Sequence, residues 1–341
     1  RDSTQGQEIQ DGFDTVEWIS RQPLSNGNVG VMGESYYGYT TLMAAVSGHP
    51  AIKAVSPANI TLAREKQSLD GAFPLQASGL WTLDMDDADR GEYQDTSQVD
   101  LYHLPLITLG EAYGLRDDLW RKRVSGYARS PLDLIADARE QYRLVRVPAL
   151  HFGGWYDSFT RGTIAVWNGV SELSDDPKAR EQQWLVMGPW DHDGMSAHLS
   201  GTMPPTNIGR REIGDKALAA YGDFMIEFFD YFVKGEANGF AEQPKVRYFN
   251  VGENDWRDAD TWPLPSTEMH SLYLHADGSL VDNAPDEAGS DTYDYDPRNP
   301  VTITAETNVW GRAASLPDRQ DLLERDDVLT YQTEPLAADM E

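Results

Sequence analysis

Apolar and polar positions in the first part of the chain predict helices and short strands in turn. Apolar residues recur every three positions over residues 11–21, which predicts an amphipathic helix. The apolar runs at residues 29–32 and 51–55 predict strands, and the run at residues 39–47 between them predicts a helix. Helices and strands in this order favour a parallel α/β sheet.

The strand pattern stops near residue 61 and resumes near residue 146. The intervening residues mix polar, aromatic and acidic positions with Gly and Pro, and we interpret them as an inserted, mostly helical cap. Apolar runs at residues 147–152 and 183–187, each followed by glycine, predict two further buried strands. Residues 217–232 carry a strong amphipathic pattern, which predicts a helix ended by Gly235.

The period of the pattern changes after this helix. Short alternating stretches at residues 245–251 and 270–274 predict strands, with a turn at Asp277-Gly278. Such a pattern is typical of a β-sandwich or jelly roll. The chain is therefore expected to combine a doubly wound α/β sheet, an inserted helical cap and a following β-sandwich domain. The expected units are residues 1–60 (first part of the α/β domain), 61–145 (cap), 146–238 (second part) and 244–341 (β domain, incomplete).

Composition narrows the function classes. The chain has 341 residues, 40% of them apolar, which is ample for packed cores. It has no cysteine, which excludes thiol catalysis, disulfides and cysteine-ligated metal sites. No apolar stretch approaches the roughly 18 residues of a membrane span, and the first residues lack a signal-peptide pattern. No cofactor is expected, and the compartment, cytoplasmic or secreted, stays open.

The chain is strongly acidic, with a formal net charge of -28. A protein that binds nucleic acid or an anionic membrane carries basic patches, so neutral or cationic partners are expected instead. There are 36 Asp to 20 Glu and 7 Lys to 21 Arg. This bias would suit a solvated surface in high salt; a generally acidic surface without that adaptation is the alternative.

A candidate nucleophile lies between the first predicted strand and the helix that follows it. Residues 33–38 read Gly-Glu-Ser-Tyr-Tyr-Gly. Glycines permit a sharp turn from strand to helix, which holds the Ser35 hydroxyl at the edge of the sheet. The backbone amide of Tyr36 can then donate to an oxyanion beside it. The closing glycine comes one place later than in the usual Gly-x-Ser-x-Gly pattern, and an ordinary turn is the alternative.

A base and an acid follow from the positions of two other strand ends. Ligands and catalytic groups gather beyond the carboxyl ends of the strands in a doubly wound sheet. His192 is the one of the seven histidines in a turn directly after a predicted sheet strand, and Asp157 follows another strand through a Gly-Gly turn. The carboxylate would orient the imidazole as it takes the serine proton. Helix capping is the alternative role for Asp157, and His198 is the reserve base. Asp191 is adjacent to His192 and would point elsewhere.

Other catalytic motifs do not occur in the sequence. There is no Ser-x-x-Lys, no His-Glu-x-x-His and no Gly-rich phosphate loop. The acidic run at residues 84–89 could hold calcium, but it lacks the glycine and glutamate spacing of a calcium-binding loop, and a solvated loop is the simpler interpretation. No metal site is predicted.

Together these motifs resemble the cocaine esterase and X-prolyl dipeptidyl-peptidase family of α/β-hydrolases. The elbow of this family reads Gly-x-Ser-Tyr-x-Gly, so the late glycine is a trait of the family. The resemblance implies an α/β-hydrolase fold with a helical cap and a jelly-roll domain. The matching segments are residues 11–20, 28–30, 33–38, 153–157, 188–190 with His192, 295–297 and 326–329.

The resemblance also implies acyl transfer to water. Ser35 would attack an ester or amide carbonyl, His192 would move the proton, and Asp157 would orient the imidazole. The family's second oxyanion donor is usually a tyrosine hydroxyl upstream of the elbow, and no residue here matches it. We therefore expect the chain to be truncated at both ends, and residues 1–341 alone to be weakly active or inert.

The substrate is the least determined feature. A carboxylic ester is favoured because no carboxylate occurs in the turn right after Ser35. The alternatives are an α-amino-acid ester or β-lactam, a proline peptide, and a catalytically silent binding module; a homo-oligomer is possible. Carboxylates of the cap, Asp84, Asp86 or Glu92, could select a free amine. Aromatic residues expected to line an apolar acyl pocket are Tyr37, Trp155, Tyr156, Phe159 and Trp190.

Overall fold

The computed structural model describes most of the chain, including all three predicted catalytic residues. The predicted acidic run at residues 84–89, the carboxylate Glu92 and the reserve base His198 lie outside the described residues. The described residues are 5–62, 73, 75, 79, 82, 99–114, 120–121, 124–125, 131–192, 207–208, 211–218, 221–301 and 320–337.

Helices and short strands alternate up to the middle of the chain, and strands predominate after it. The strands are β1 (Val29–Glu34), β2 (Ile52–Ala58), β3 (Ala149–Gly154), β4 (Gln183–Gly188), β5 (Asn207–Ile208), β6 (Arg211–Glu212), β7 (Val246–Asn250), β8 (Asp255–Ala259), β9 (Tyr273–Leu274) and β10 (Leu280–Val281). The α-helices are α1 (Gln5–Ser20), α2 (Tyr36–Val46), α3 (Leu109–Ala112), α4 (Pro131–Leu144), α5 (Thr160–Leu173), α6 (Pro177–Glu181) and α7 (Tyr221–Phe229). A π-helix (Asp230–Lys234) follows α7, and 3-10 turns occupy Leu106–Thr108, Asp215–Leu218, Phe240–Glu242 and Gln320–Glu324.

A six-stranded sheet in the order β1-β2-β3-β4-β7-β8 organises the molecule. Its first five strands are parallel, and β8 closes one edge as an antiparallel partner of β7. Every residue of β3 and β4 is buried, as expected for parallel strands covered on both faces. Because the strands are parallel, the turns after β1, β3 and β4 emerge at the same edge of the sheet.

Helices cover both faces of this sheet. On one face, Leu42 of α2, Val55 of β2 and Val170 of α5 share a buried cluster. On the other, Phe152 of β3 packs with Phe228 of α7. The doubly wound α/β class predicted from the sequence is therefore confirmed. Within the described ranges, no helix combines the length and the apolar character needed to cross a lipid bilayer.

One helix within residues 61–145, the range predicted for the cap, covers the central sheet instead. Helix α4 lies inside the predicted cap, yet its Ala138 and Tyr142 are buried in the same cluster as α2 and α5. This helix therefore belongs to the layer that covers the sheet. The sequence pattern could not separate the two roles, because an amphipathic helix has the same period whether it packs on a sheet or on another helix.

Strand β7 is the second correction to the predicted domain division. The alternation at residues 245–251 predicts a strand of the β domain, whereas β7 pairs with β4 in the central sheet. Val246 is fully buried against Leu185 of β4, and Phe249 is buried on the opposite face. Alternation indicates a strand but carries no information about its partner.

The region after β8 contains the predicted antiparallel pairing. Strands β9 and β10 pair across the turn at Asp277-Gly278. The amide of Gly278 donates to the carbonyl of His275, and Ser279 forms an isolated parallel β-bridge with Gln332. Strand β9 covers only the last two residues of the strand predicted at 270–274. The complete jelly-roll arrangement of this region stays a prediction.

Candidate active site

Ser35 occupies a strained corner between β1 and α2. Its φ of 58° and ψ of -125° lie outside the regions that a residue with a side chain normally adopts. Two backbone hydrogen bonds hold the corner. The Ser35 amide donates to the carbonyl of Ala58 at 3.0 Å, and the Ser35 carbonyl accepts from the amide of Tyr39 at 2.9 Å. Strain of this kind at a strand-to-helix turn is the mark of a nucleophile elbow, which presents a serine hydroxyl above the sheet.

Two glycines allow α2 to pass close to the strand ends. A Cβ on Gly33 would lie 2.5 Å from the carbonyl oxygen of Tyr37. A Cβ on Gly38 would lie 2.4 Å from the side chain of Ile60 and 2.7 Å from the carbonyl oxygen of Ala58. The helix thus comes closest to residues 58–60 at residue 38 and not at residue 37. This explains why the closing glycine of the motif comes one place later than in Gly-x-Ser-x-Gly. Tyr37, at the position of the usual glycine, is 73% exposed.

Tyr36 is anchored at the start of α2. Its phenol donates a 2.5 Å hydrogen bond to Oε1 of Glu8 in α1, and its ring stacks on that of Tyr39. The Tyr36 amide belongs to the first turn of the helix, where backbone N–H groups have no intrahelical acceptor. It is therefore suitably located to donate to an oxyanion formed beside Ser35.

Asp157 and His192 form a buried pair at the ends of β3 and β4. Oδ2 of Asp157 lies 2.6 Å from Nδ1 of His192. The Asp157 side chain is fully buried and that of His192 is 9% exposed. An ionised carboxylate can only accept, so Nδ1 carries the proton and Nε2 keeps its lone pair for a proton from a nucleophile. This is the arrangement of the acid and base in a serine hydrolase triad.

The loop after β3 fixes the orientation of Asp157. The amide of Phe159 donates to Oδ1, and the amide of Asp157 donates to the carbonyl of Gly154 at 3.2 Å. The ring of Phe159 lies 5.5 Å from the imidazole of His192, centroid to centroid. Helix capping is the alternative role for Asp157. Its Oδ1 accepts from the amide of Phe159, the N-cap residue of α5, but no side chain caps the first turn of this helix.

The structure brings Asp157, His192 and Phe159 into direct contact. Ser35 and Tyr36 lie at the carboxyl end of β1, at the same edge of the sheet as the turns after β3 and β4. Catalytic groups of α/β proteins gather at this edge.

The predicted substrate pocket requires a correction at Trp190. This side chain is 2% exposed, and its indole N–H donates to the carbonyl of Ala217 at 3.1 Å. It packs in the core and does not line an open pocket. Trp155 is half-buried, with its indole N–H donating to Phe249 at 2.8 Å, and Tyr156 is also half-buried. Sequence position alone could not separate these roles, because aromatic residues at strand ends serve packing and binding alike.

Sequence reasoning missed a buried polar pair next to the serine. Glu34 precedes Ser35 and is 7% exposed, and Asn59 follows β2 and is fully buried. Nδ2 of Asn59 donates to Oε1 of Glu34 at 2.8 Å, and Oδ1 of Asn59 accepts from the amide of Gly154 at 3.2 Å. The signal in the sequence is a polar residue at the end of one strand, Glu34, and another directly after the next strand, Asn59.

Histidines away from this edge have local partners. His151 lies in β3 with its Nε2 2.9 Å from Oε1 of Gln183, and burial lowers its pKa to about 4, against the raising effect of that hydrogen bond. His49 is buried with its Nε2 3.0 Å from Oε2 of Glu17. Within the part of the chain that the structure describes, no group of three or more His, Asp or Glu side chains is arranged to hold a metal ion.

Two family models match the chain. The model of the X-Pro dipeptidyl-peptidase (S15 family) matches residues 1–194, which include Ser35, Asp157 and His192. The model of the X-Pro dipeptidyl-peptidase C-terminal non-catalytic domain matches residues 238–341. The first match covers more than half of the chain.

Individual relatives agree with these matches. Cocaine esterase of Rhodococcus sp. (strain MB1 Bresler) is 29% identical over 382 aligned positions, covering 97% of this chain and 61% of its own length. The crystal structure of an aminopeptidase from the marine sediment archaeon Thaumarchaeota archaeon is 26% identical, with a TM-score of 0.74 over 96% of this chain and 56% of its own. An α-amino acid ester hydrolase has the same TM-score and coverage at 24% identity, and therefore supports the fold alone. The chain spans 57–61% of the length of the curated relatives it matches.

Proposed function

The chain belongs to the X-Pro dipeptidyl-peptidase (S15) family, and on that premise we propose that it is a serine acyl hydrolase that cleaves carboxylic esters through an acyl-enzyme on Ser35. The observation that carries the proposal is the buried 2.6 Å contact between Asp157 and His192, at the same sheet edge as the strained corner of Ser35. A strained serine and an oriented imidazole together favour nucleophilic catalysis.

In the proposed acylation, the Ser35 oxygen attacks the ester carbonyl while Nε2 of His192 takes the hydroxyl proton. Asp157 stabilises the resulting imidazolium through Nδ1. The amide of Tyr36 donates to the oxyanion of the tetrahedral intermediate. The C–O bond to the leaving alcohol then breaks, and His192 returns the proton to that alcohol.

Deacylation repeats these steps with water. His192 takes a proton from the water that attacks the acyl-enzyme carbonyl, and the C–O bond to Ser35 breaks as the proton returns to the serine oxygen. The acid product leaves, and the starting protonation states are restored. The reaction therefore consumes one water and requires no redox partner.

A plain ester is the substrate that the relatives and the site favour together. The Rhodococcus relative is named as an esterase. A substrate with a free amine would require a carboxylate facing the site, and the one beside Ser35, Glu34, is buried and bonded to Asn59. An apolar acyl pocket would use Phe159, Trp155 and Tyr156, with Trp190 packed behind them.

A substrate with a free amino terminus is the second candidate, whether an amino-acid ester, a β-lactam or a proline peptide. The names of the family model and of the archaeal aminopeptidase favour it. The carboxylates that could bind such an amine, Asp84, Asp86 and Glu92, lie outside the described residues. A catalytically silent binding module is the remaining alternative.

A fluorophosphonate probe tests the proposed nucleophile. We expect labelling of the full-length protein, called the unmodified protein below, and none when it carries Ser35→Ala, because the probe reacts only with an activated serine. Ser47→Ala, at the opposite end of α2, is the matched control and should label normally. Equal labelling of Ser35→Ala and the unmodified protein would place the reactive group elsewhere, and no labelling of either would favour the binding module.

The substrate class is tested by comparing three chromogenic substrates: nitrophenyl butyrate, an amino-acid nitrophenyl ester and a Gly-Pro anilide. The proposal predicts the highest kcat/KM for the butyrate. A preference for the amino-acid ester that disappears when its amine is acetylated would establish the second candidate instead.

A further inference from the structure

Three strand ends at the site are joined by one buried asparagine. Asn59 follows β2 with a φ of 47°, and its backbone amide donates to Phe152 of β3 at 2.9 Å. Its side chain reaches in two directions, to Glu34 at the end of β1 and to Gly154 at the end of β3. The asparagine therefore connects the strand that carries the serine with the strand that precedes the acid.

The same bonds continue to the acid–base pair. The carbonyl of Gly154 accepts from the amide of Asp157, and Asp157 contacts His192. Glu34 is covalently joined to Ser35. A continuous path thus runs from the serine through Glu34, Asn59 and Gly154 to Asp157.

The chemical identity of Asn59 matches its two partners. The backbone amide of Gly154 can only donate, and an ionised carboxylate of Glu34 can only accept. A side-chain amide satisfies both, since it offers an oxygen at one end and an N–H at the other. An aspartate would still accept from Gly154 but would oppose the carboxylate of Glu34.

A carboxylate buried beside the serine requires a reason. Burial of an ionised group is costly unless hydrogen bonds compensate for the lost water, and an apolar residue would complete β1 without that cost. We propose that Glu34 and Asn59 are a positioning pair, which holds the Ser35 corner at the correct place relative to Asp157 and His192. This inference rests on the proposed function, because it assigns the pair a role in the reaction at that site.

Exchanging the two groups gives the sharpest test. Asn59→Asp creates two facing carboxylates. Adding Glu34→Gln to it restores one amide and one carboxylate in reversed order, with the new amide at position 34 donating to the new carboxylate at position 59. The double variant therefore keeps the charge of the unmodified pair, the hydrogen bond between residues 34 and 59, and the one from the Gly154 amide. Glu34→Gln alone keeps an oxygen that accepts from Asn59 and serves as the mild control.

Asn59→Asp alone should slow the chemical step, and adding Glu34→Gln should restore its rate. We expect Asn59→Asp to lower kcat for nitrophenyl butyrate by roughly 10- to 100-fold with little change in KM, since small misplacements of reacting groups have effects of this size. The double variant should recover most of the lost kcat, and Glu34→Gln should stay within a few-fold of the unmodified protein.

The pH profile separates positioning from general destabilisation. Two facing carboxylates retain a shared proton to higher pH than either would alone. Once protonated, the carboxyl group introduced by Asn59→Asp can donate to Glu34, so the kcat of this variant relative to the unmodified protein should rise as the pH falls. This relative activity should be independent of pH in the double variant.

Several outcomes would overturn the inference. An unchanged kcat in Asn59→Asp would do so, as would a kcat loss that the double variant fails to recover although its melting temperature is restored. If Asn59→Asp does not fold, a large loss of kcat in the double variant would still overturn the inference, because that variant keeps one amide facing one carboxylate.

Hydrogen exchange keeps the test independent of the proposed reaction. Exchange of the Ser35 and Gly154 amides should speed up together in Asn59→Asp and slow again in the double variant. If the unmodified protein does not react with the fluorophosphonate, the proposed function fails, whereas the coupling between the two amides can still be measured. Faster exchange at Gly154 alone would show that the serine strand is not coupled and would overturn the inference.

Discussion

At the scale of single residues, the two oxygens of Asp157 determine how the proposed base works. One accepts from the amide of Phe159 and the other contacts Nδ1 of His192. The carboxylate therefore cannot rotate without losing a hydrogen bond in a buried site. This fixes the imidazole tautomer with the proton on Nδ1, so Nε2 is the nitrogen that can accept a proton.

Asp157→Asn should lower kcat by about 10⁴, the size of effect known for the corresponding change in a serine protease triad, because an amide facing Nδ1 favours the wrong tautomer. Steady-state hydrolysis of nitrophenyl butyrate measures it. Asp191→Asn, which changes the neighbouring buried acid, is the control and should retain activity in the folded protein. If Asp191→Asn has the larger effect, the acid has been assigned to the wrong residue.

His151 is expected to make stability depend on pH. Its pKa is lowered from 6.5 to about 4 by burial, so the unfolded chain gains a proton as the pH falls through 6.5 while the folded chain does not. The folded state thus loses stability between pH 6.5 and 4, and a shift of this size corresponds to about 3 kcal/mol. Below pH 4 this contribution changes no further.

His151→Gln should therefore flatten the dependence of the unfolding free energy on pH between 6.5 and 4, while still offering an N–H to Gln183. Urea titrations at several pH values measure the slope. His270→Gln, at an exposed histidine, is the control and should keep the original slope. Equal slopes in His151→Gln and the unmodified protein would contradict the prediction.

At the scale of secondary-structure elements, the close approach of α2 to β2 limits residue 38. Gly38→Ala should destabilise the fold by roughly 1–3 kcal/mol, because the new methyl group would overlap Ile60 and the backbone of Ala58. Urea unfolding measures it. Gly222→Ala in α7 is the matched control, since nothing lies within 4 Å of its Cβ position. That change should stabilise the protein by about 0.5–1 kcal/mol, and equal effects at both glycines would refute the steric explanation.

The sequence predicts where strands lie more reliably than it predicts which strands pair with one another. The runs at residues 29–32, 51–55, 147–152 and 183–187 all lie in or overlap strands of the central sheet. The alternation at residues 245–251 also predicts β7, but it gives no sign that this strand belongs to the central sheet. A strand pattern depends on a few neighbouring residues, whereas pairing depends on surfaces formed by distant parts of the chain.

At the scale of the whole molecule, charge is the dominant feature. A net charge of -28 implies repulsion within the folded state, and salt shortens the range of that repulsion from about 10 Å at 0.1 M to about 3 Å at 1 M. The melting temperature should rise between low and molar sodium chloride. Sorbitol at equal osmolality, which screens no charge, is the control for solvent effects. A melting temperature that rises no more in salt than in sorbitol would remove the idea of adaptation to high salt.

The division of the chain into domains stays a proposal. The central sheet changes it at two places, helix α4 and strands β7 and β8. We propose that residues 1–60 and 146–238 form one α/β-hydrolase domain, with the cap inserted between them and α4 packed on the sheet. Residues 244–341 would form the β domain. Its first two strands, β7 and β8, pair with the central sheet and extend it. The second family model begins at residue 238, close to this boundary.

The sequence by itself determined the α/β class and the three candidate catalytic positions, because both depend on local patterns. Apolar runs mark buried strands, and Ser35, Asp157 and His192 each follow such a run. The displaced glycine of the elbow was likewise visible as a motif. None of these inferences required knowledge of which strands are neighbours.

Only the tertiary structure decided which side chains meet. Asn59 contacts Glu34 across 25 positions and Gly154 across 95, and no local pattern predicts contacts at such separations. The same holds for Trp190, whose indole is bonded to a carbonyl 27 residues away. Burial and hydrogen bonding result from the packing of the whole chain, so a polar or aromatic residue at a strand end acquires its role only when its neighbours are in place.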